Sequence, residues 1–406
     1  MALSSQPRLA IHFERYGPYH KARLASARQQ LAAIGWAAIG LETASVDAVY
    51  QWQPESHAEQ AGIQTVFPGQ AVESLSRQHI HQRIDQTLSQ LNSAAVAIAG
   101  WASADSLACL AWCRKHRKPA LLMSETRAAD GRRLWFKEAL KSWRIKRFQG
   151  ALVGGASHAA YLRSLGFPGP IATGYDVVDN AYFIAESAKL RANDPCLGLI
   201  SRPYLLASNR FVERKNLIRL VQAFAAVVRP GNSSKGTTVD LCLVGDGPQR
   251  ALLQATCQSL GLAVVAGAPW EASGNDPATP TSPRVFLPGF RQIDELPRFY
   301  AHACCFVHPA ISEPWGLVIN EAMACGLPVV CSSNCGAAEE LVCDGVNGFI
   351  FDSLDATSIA DAVQKILDLD SLSIASFSQA SRSILENRCP LSSFGQGLSS
   401  LLLQFA

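Results

Sequence analysis

The chain alternates short apolar runs with longer segments of helical periodicity, and it does so in two successive series. In the first, strands are expected at 8–13, 37–41, 46–50, 64–67, 94–99, 120–123 and 150–153, with helices at 19–34, 74–91, 103–116 and 134–148. The second begins near Tyr204, with strands at 204–207, 240–244, 285–288, 304–308, 328–331 and 348–351. Its helices are expected at 216–228, 249–260, 295–301, 317–325, 337–342 and 358–367. Runs of four to six apolar residues suit strands buried on both faces, and helices of ten or more residues between them supply crossovers. The chain therefore reads as α/β, with two doubly wound parallel-sheet domains. The boundaries fall at 1–180 for the first domain, 181–203 for a linker, 204–375 for the second domain and 376–406 for closing helices. The polar stretches 231–236 and 273–284 read as surface loops with no assigned role.

Composition narrows the partners. Over 406 residues, 36 Lys and Arg face 33 Asp and Glu, a formal net charge of +3. That balance argues against nucleic acid, whose phosphates need a concentrated basic excess. The small sum hides two unlike halves. Residues 1–180 hold 20 basic and 13 acidic side chains, whereas 181–406 hold 16 and 20. The twelve cysteines include an adjacent pair, Cys304 and Cys305, and no C-x-x-C, so they read as reduced interior thiols rather than as a disulfide framework or zinc site. The first residues lack the apolar core of a signal peptide, and no run approaches the roughly 18 apolar residues that span a bilayer. The expected location is the cytoplasm, with membrane association on the cytoplasmic face left open.

The chemistry concentrates in Ile311-Ser-Glu-Pro-Trp-Gly-Leu-Val-Ile-Asn-Glu-Ala-Met-Ala-Cys-Gly-Leu-Pro-Val-Val330. This string follows an apolar strand ending in His308-Pro309 and opens a helix near Trp315-Gly316. Unpaired backbone N–H groups and a positive dipole at a helix start suit a phosphate. Glu313 lies before that start and Glu321 on the helix, and carboxylates accept hydrogen bonds from hydroxyls. Such a pair flanking a phosphate-binding turn suits a ligand with sugars on both sides of its phosphates.

This region resembles the retaining glycosyltransferases of family 4, whose GT-B fold consists of two facing Rossmann-like domains. Glu313, Glu321, Ala324, Gly326, Pro328, Val329 and Val330 match the family's E-x7-E and the small-rich strand that follows it. Asn209-Arg210-Phe211-Val212-Glu213-Arg214-Lys215 looks like its G-R-x-x-x-x-K, and Leu243–Pro248 and Phe286–Phe290 supply two further matches. The resemblance implies that Arg210 and Lys215 neutralise a donor diphosphate, and that backbone amides around Trp315, Gly316 and Leu317 hold its distal phosphate. It gives Glu313 to the donor-sugar hydroxyls and Glu321 to the ribose. Phe290, Arg291 and Leu296 border the base, and Gly245 lets the backbone approach the nucleotide.

No D-x-D occurs, so no metal is called for and no cofactor beyond the nucleotide diphosphate sugar as co-substrate. The implied reaction transfers a sugar to an acceptor hydroxyl on a glycan or a lipid-linked acceptor, with retention. In the family's mechanism the acceptor attacks from the leaving group's own face. Two alternatives remain beside it: a non-catalytic GT-B subunit, and a nucleotide-sugar epimerase or hydrolase on the same fold.

The first domain departs from the family pattern. The loop after its first strand, residues 14–20, has one glycine where relatives often have two. The loop at Gly100-Trp101-Ala102-Ser103 lacks the histidine that relatives often place beside the donor sugar. Gly17, His20 and Glu125 are the acceptor-side candidates. Residues 132–148 interleave Trp135, Phe136, Leu140, Trp143 and Phe148 with Lys and Arg. Two readings compete there: a basic aromatic helix lying on anionic lipid, or an ordinary amphipathic helix with its aromatic face on the sheet.

Overall fold

The computed structural model of the chain describes residues 6–46, 62–131, 133–195, 197–229, 238–271 and 283–405. They divide into two compact units, Met1–Asp179 with Cys389–Ala406, and Asn180–Arg388. The first unit runs β1 (Arg8–Phe13), α1 (Pro18–Ala32), β2 (Ala37–Val46), β3 (Ile63–Ala71), α2 (Arg77–Gln90), β4 (Ala95–Ala99), α3 (Ala104–His116) and β5 (Ala120–Ser124). It continues through α4 (Trp135–Ile145), β6 (Gly150–Val153), α5 (Ala156–Ser164) and β7 (Ile171–Thr173). Its strands form one parallel sheet in the order β3-β2-β1-β4-β5-β6-β7. β1 pairs with β2 on one side, Leu9 opposite Ala38, and with β4 on the other, Leu9 opposite Ala95. Helices on both faces explain why Leu9, Ala10, Ile11 and Ala95 to Ile98 are wholly buried.

The second unit runs α6 (Asn180–Asn193), β8 (Tyr204–Ser208), α7 (Leu217–Val227), β9 (Asp240–Val244), α8 (Arg250–Ser259), β10 (Ala263–Ala266), β11 (Arg284–Gly289) and α9 (Leu296–His302). It ends with β12 (Cys305–His308), α10 (Leu317–Ala324), β13 (Val329–Ser332), α11 (Gly336–Leu341), β14 (Gly348–Phe351), α12 (Ala356–Leu367) and α13 (Ser371–Arg388). Its parallel sheet has the order β10-β11-β9-β8-β12-β13-β14. The direction of winding reverses between β1 and β4 in one unit and between β8 and β12 in the other. Such switch points open crevices at the carboxyl ends of strands, where ligands of doubly wound sheets bind.

Several elements differ from the sequence expectation. Residues 181–203, read as a linker, hold α6 and a short 3-10 turn at Leu197–Leu199. α6 buries only Phe183 and Ser187, too few positions to write an apolar stripe into the sequence. It packs on α9 and α10, with Phe183 edge-on to Tyr300 at 6.1 Å. β2 runs on to Val46 rather than stopping at residue 41, because its middle is polar yet buried. There Glu42 accepts from the Tyr16 N–H (2.8 Å) and the Thr65 hydroxyl (2.7 Å), and Thr43 meets His12 (3.0 Å). The rest of the strand expected at 46–50 and the loops 231–236 and 273–282 lie outside the described residues. Among those described, most cysteines are buried.

The closing residues divide between the units. α13 packs on α10 and α11, whereas a final helix, α14 (Ser392–Leu402), lies along α1. The Ser26 hydroxyl donates to the Leu391 carbonyl (2.8 Å) and accepts from the Gly395 N–H (3.2 Å), so one side chain from α1 fastens the start of α14. A Cβ on Gly395 would lie 2.5 Å from the Ser26 carbonyl oxygen. Gly395→Val should therefore force the two helices apart at a cost of about 1–3 kcal/mol. Thermal unfolding should show a Tm about 5 °C lower; a Tm equal to the parent's would mean that this contact does not hold α14.

Candidate active site

The crevice between β8 and β12 is built by two loops that are stitched together through the backbone. After β8 the chain passes Asn209 and Arg210, makes a 3-10 turn at Glu213–Lys215, and enters α7 through Asn216. Asn216 has φ +58°, a left-handed conformation that asparagine tolerates better than most residues. Its buried amide donates to the carbonyls of Pro309 (3.0 Å) and Ser353 (2.7 Å). The Ile311 N–H donates to the Arg214 carbonyl (2.8 Å), so the loop after β12 is fixed to the loop after β8.

That stitching brings Lys215 onto Glu313. The Lys215 ammonium pairs directly with the Glu313 carboxylate, while Arg214 stands 3.9 Å and His308 Nε2 3.5 Å from it. The two side chains of the pair are only 12% and 10% exposed. Burial alone would raise the Glu313 pKa, but the approach of His308 and the charge of Lys215 hold it well below the usual carboxylate range. Burial pushes His308 the other way, toward the neutral imidazole, and Lys215 reinforces that direction. The site thus holds a fixed anion and a fixed cation side by side, with an uncharged ring beneath them.

Glu313 is itself fixed by the backbone. Its N–H donates to the Asn334 carbonyl, and its carbonyl accepts from the Gly336 N–H, each at 3.1 Å. Three residues on, Gly316 caps α10 with φ +101°. A Cβ there would meet the Cys335 sulfur at 3.0 Å and Glu313 Cγ at 3.3 Å, so glycine is required both by conformation and by space. The Trp315 carbonyl accepts from the Cys335 thiol (2.7 Å) and the Ala337 N–H (3.0 Å), and its indole donates to Asn320 (3.0 Å). The half-buried Leu317 then begins the helix, whose first N–H groups have no acceptor within it.

Glu321, eight residues after Glu313, does not stand beside it. It is wholly buried in α10 and accepts a 2.7 Å hydrogen bond from the Tyr300 hydroxyl. Gly245 follows β9 with φ +130°, where a Cβ would overlap the Asn209 carbonyl oxygen. Its N–H donates to the Gly289 carbonyl (2.9 Å), and Asn209 N–H to the Val244 carbonyl (2.9 Å), so the loops after β8, β9 and β11 form one continuous rim. Arg210 and Phe290 are half-buried on that rim. Arg291 pairs with Glu295 (2.9 Å) and Glu271 (3.5 Å), and Leu296 is buried at the start of α9.

In the first unit, Gly17 and His20 meet after β1: the Gly17 N–H donates to His20 Nδ1 (3.1 Å), which leaves the proton on Nε2. Burial, aided by Arg23, pushes the His20 pKa down to about 3, so the ring is a neutral donor. Phe13 stacks on it at 4.1 Å and on Tyr175 at 6.5 Å. The exposed Glu125 belongs to the same end of the sheet, its charge helping to raise the Tyr175 pKa after burial itself.

Comparison with known proteins covers the unit that holds the β8–β12 crevice. Residues 200–383 match the family described as glycosyl transferases group 1. This part of the chain is similar to the group 1 glycosyltransferases. The chain is 31% identical over 177 residues to a GDP-mannose-dependent alpha-(1-6)-phosphatidylinositol monomannoside mannosyltransferase of Mycolicibacterium smegmatis, covering 42% of this chain and 40% of that protein. It is 26% identical over 260 residues to the alpha-D-kanosaminyltransferase of Streptomyces kanamyceticus, covering 63% and 54%. It spans about two fifths of the length of the first curated relatives it matches. The crystal structure of Anabaena HepE in complex with UDP and glucose superposes with a TM-score of 0.71 at 18% identity, over 98% of this chain and all of that one. The fold is GT-B.

Three residues of the second unit carry no motif signal in the sequence. Asn216 and His308 stand in the sequence merely as a helix start and a strand end, yet one joins the loops and the other contacts Glu313. Asn209 is buried with both amide atoms lacking a partner. An asparagine between a strand and Arg210 was the only signal available for it.

The buried pair makes a stability prediction. Lys215→Met should cost about 3–5 kcal/mol by leaving an uncompensated buried carboxylate, and adding Glu313→Gln should recover part of that loss. Because the folded pKa of Glu313 lies below its unfolded value, its contribution is present above about pH 4.5 and lost as pH falls below it. Urea denaturation of the parent, Lys215→Met, Glu313→Gln and the double variant at neutral and acid pH measures both effects; a double variant no better than Lys215→Met would count against the pairing.

Proposed function

We propose that the protein is a retaining glycosyltransferase that moves a sugar from a nucleotide diphosphate donor to an acceptor hydroxyl, in glycan, polysaccharide or glycolipid synthesis. The observation that carries this reading is the Lys215–Glu313 pair at the β8–β12 switch point, next to the glycine-capped start of α10. A departing diphosphate needs cations and N–H donors already in place as its charge grows, and such preorganised stabilisation is the largest single contribution in many enzymes. Arg210 and Lys215 supply the cations. The amides around Trp315, Gly316 and Leu317 supply the donors. No cluster of three or more His, Cys, Asp or Glu suited to a metal occurs among the described residues, and the reading routes no step through one.

Glu313 is ionised at any ordinary pH, so it accepts hydrogen bonds from donor-sugar hydroxyls rather than donating a proton. Lys215 then serves two anions, sharing its N–H groups between Glu313 and the diphosphate. Glu321 reaches the ribose only if Tyr300 leaves it a lone pair, and carboxylates have more than one to offer. Asn209, with both amide atoms unpartnered, is suited to a polar group of the donor. In this reading the acceptor attacks from the face the diphosphate leaves, and a phosphate oxygen takes its proton. His20 Nε2–H, Gly17 and Glu125 are the acceptor-side groups.

The relatives point the same way: one is named as a GDP-mannose-dependent mannosyltransferase, and HepE was crystallised with UDP and glucose. A screen of nucleotide sugars by thermal shift identifies the donor, since a ligand that binds the native state raises Tm. With that donor, Lys215→Ala and Glu313→Ala should each lower kcat by about 10²–10³, while Tm and acceptor-free donor hydrolysis report folding and uncoupled chemistry. Full activity in both variants would defeat the proposal, as would inverted anomeric configuration in the product.

A further inference from the structure

Helix α4 is mounted the wrong way round for an ordinary surface helix. Its polar face turns toward the first unit. Glu138 accepts from the Tyr161 hydroxyl (2.7 Å) and from Lys141 (2.8 Å), and the Arg133 guanidinium lies over the Tyr161 ring at 4.4 Å. Of the helix's residues only Ile145 is buried. The apolar face points outward: Trp135 is 82% exposed, Trp143 59%, Phe136 52% and Leu140 47%. At 100° per residue, Phe136, Leu140 and Trp143 share one face and Trp135 lies on its margin. Of the two readings of residues 132–148, the one that sets the aromatic face on the sheet does not match this arrangement, since the Glu138–Lys141–Tyr161 hydrogen bonds occupy the inner side.

The exposed aromatics sit among cations. Lys137 and Arg144 flank the apolar face on the helix, Lys146 and Arg147 follow it, and Arg114, Arg117 and Lys118 are exposed at the end of α3. The Arg147 guanidinium lies 3.1 Å from the centre of the Trp143 ring. Desolvation, and then Arg114 and Arg144, lower the Arg147 pKa, so these guanidinium groups crowd one patch. The neighbouring carboxylates do not neutralise it, since Asp130 pairs with Arg127 (3.2 Å) and Glu138 faces inward.

We infer that α4 docks the protein on an anionic lipid bilayer, with Trp135, Phe136, Leu140 and Trp143 at the boundary of headgroups and acyl chains and the flanking cations on lipid phosphates. An in-plane helix with an aromatic face and basic flanks is the chemistry of interfacial binding. No helix among the described residues is long and apolar enough to cross a membrane. A second copy of the chain suits the patch poorly, because a two-fold interface would set the same cations against each other. This inference does not rest on sugar transfer.

The test is flotation of the full chain with vesicles, read together with tryptophan emission. Vesicles of equimolar phosphatidylglycerol and phosphatidylcholine should bind the protein and shift its emission to the blue. Vesicles of phosphatidylcholine alone should bind it far more weakly. Trp135→Ala/Trp143→Ala and Lys137→Gln/Arg144→Gln should each weaken binding roughly tenfold or more, with unchanged Tm, since all four side chains lie at the surface. Added salt should release the protein. Failure to float with the anionic vesicles would overturn the inference, as would undiminished binding by either double variant or a lipid-free dimer that shields both indoles. None of these readouts needs a donor, so failure here leaves the transfer reading untouched, and the converse holds.

Discussion

One ion pair organises the second unit's crevice. Lys215 and Glu313 come from loops nearly a hundred residues apart in sequence; Glu313 is buried and Lys215 largely so, so the carboxylate depends on the lysine for its charge. Everything that surrounds them serves to keep them together: Asn216 joins the two loops, the Ile311 amide closes onto Arg214, and Gly316 leaves room for Glu313 beside Cys335. A pair held so firmly cannot be created by ligand binding. It is in place beforehand, which is what a site for a developing diphosphate charge requires. The neutrality of His308 belongs to the same arrangement, since a second cation under Lys215 would repel it.

Much of this was legible in the chain. Buried parallel strands write themselves as continuous apolar runs, so β1, β4, β5, β8 and β9 could be read almost residue by residue. The E-x7-E string made Glu313 a candidate, and the likeness of residues 209–215 to G-R-x-x-x-x-K made Lys215 one. Burial was harder to read. Glu313 and Glu321 look equivalent in sequence, yet one meets a lysine at the rim and the other meets Tyr300 in the interior. Their different surroundings arise from α9, whose packing no local pattern encodes. Polar interiors also hid part of β2, where Glu42 and Thr43 interrupt the apolar run but satisfy each other's neighbours.

Helix α4 shows why composition alone could not decide its orientation. Its aromatic and charged residues are interleaved closely enough for either face to turn inward. The choice is made by Tyr161 on α5, whose hydroxyl serves Glu138 and Lys141 together. That hydroxyl lies outside residues 132–148, so their sequence alone does not show which face it draws inward. Likewise α6 buries so little that it reads as a linker, although Arg191 ties it to the carbonyl of Ala301 (3.0 Å).

The first unit is assembled from two separated stretches of chain, with the entire second unit inserted between them. During synthesis the second unit is complete in the emerging polypeptide as soon as Arg388 has cleared the ribosome, whereas the first must wait for α14. Until then α1 and the sheet beneath it show water the surface that Phe394, Leu398 and Leu401 later cover. The order of emergence is thus the reverse of the order of completion: the half made first is the half finished last, and its flank stays bare until α14 arrives.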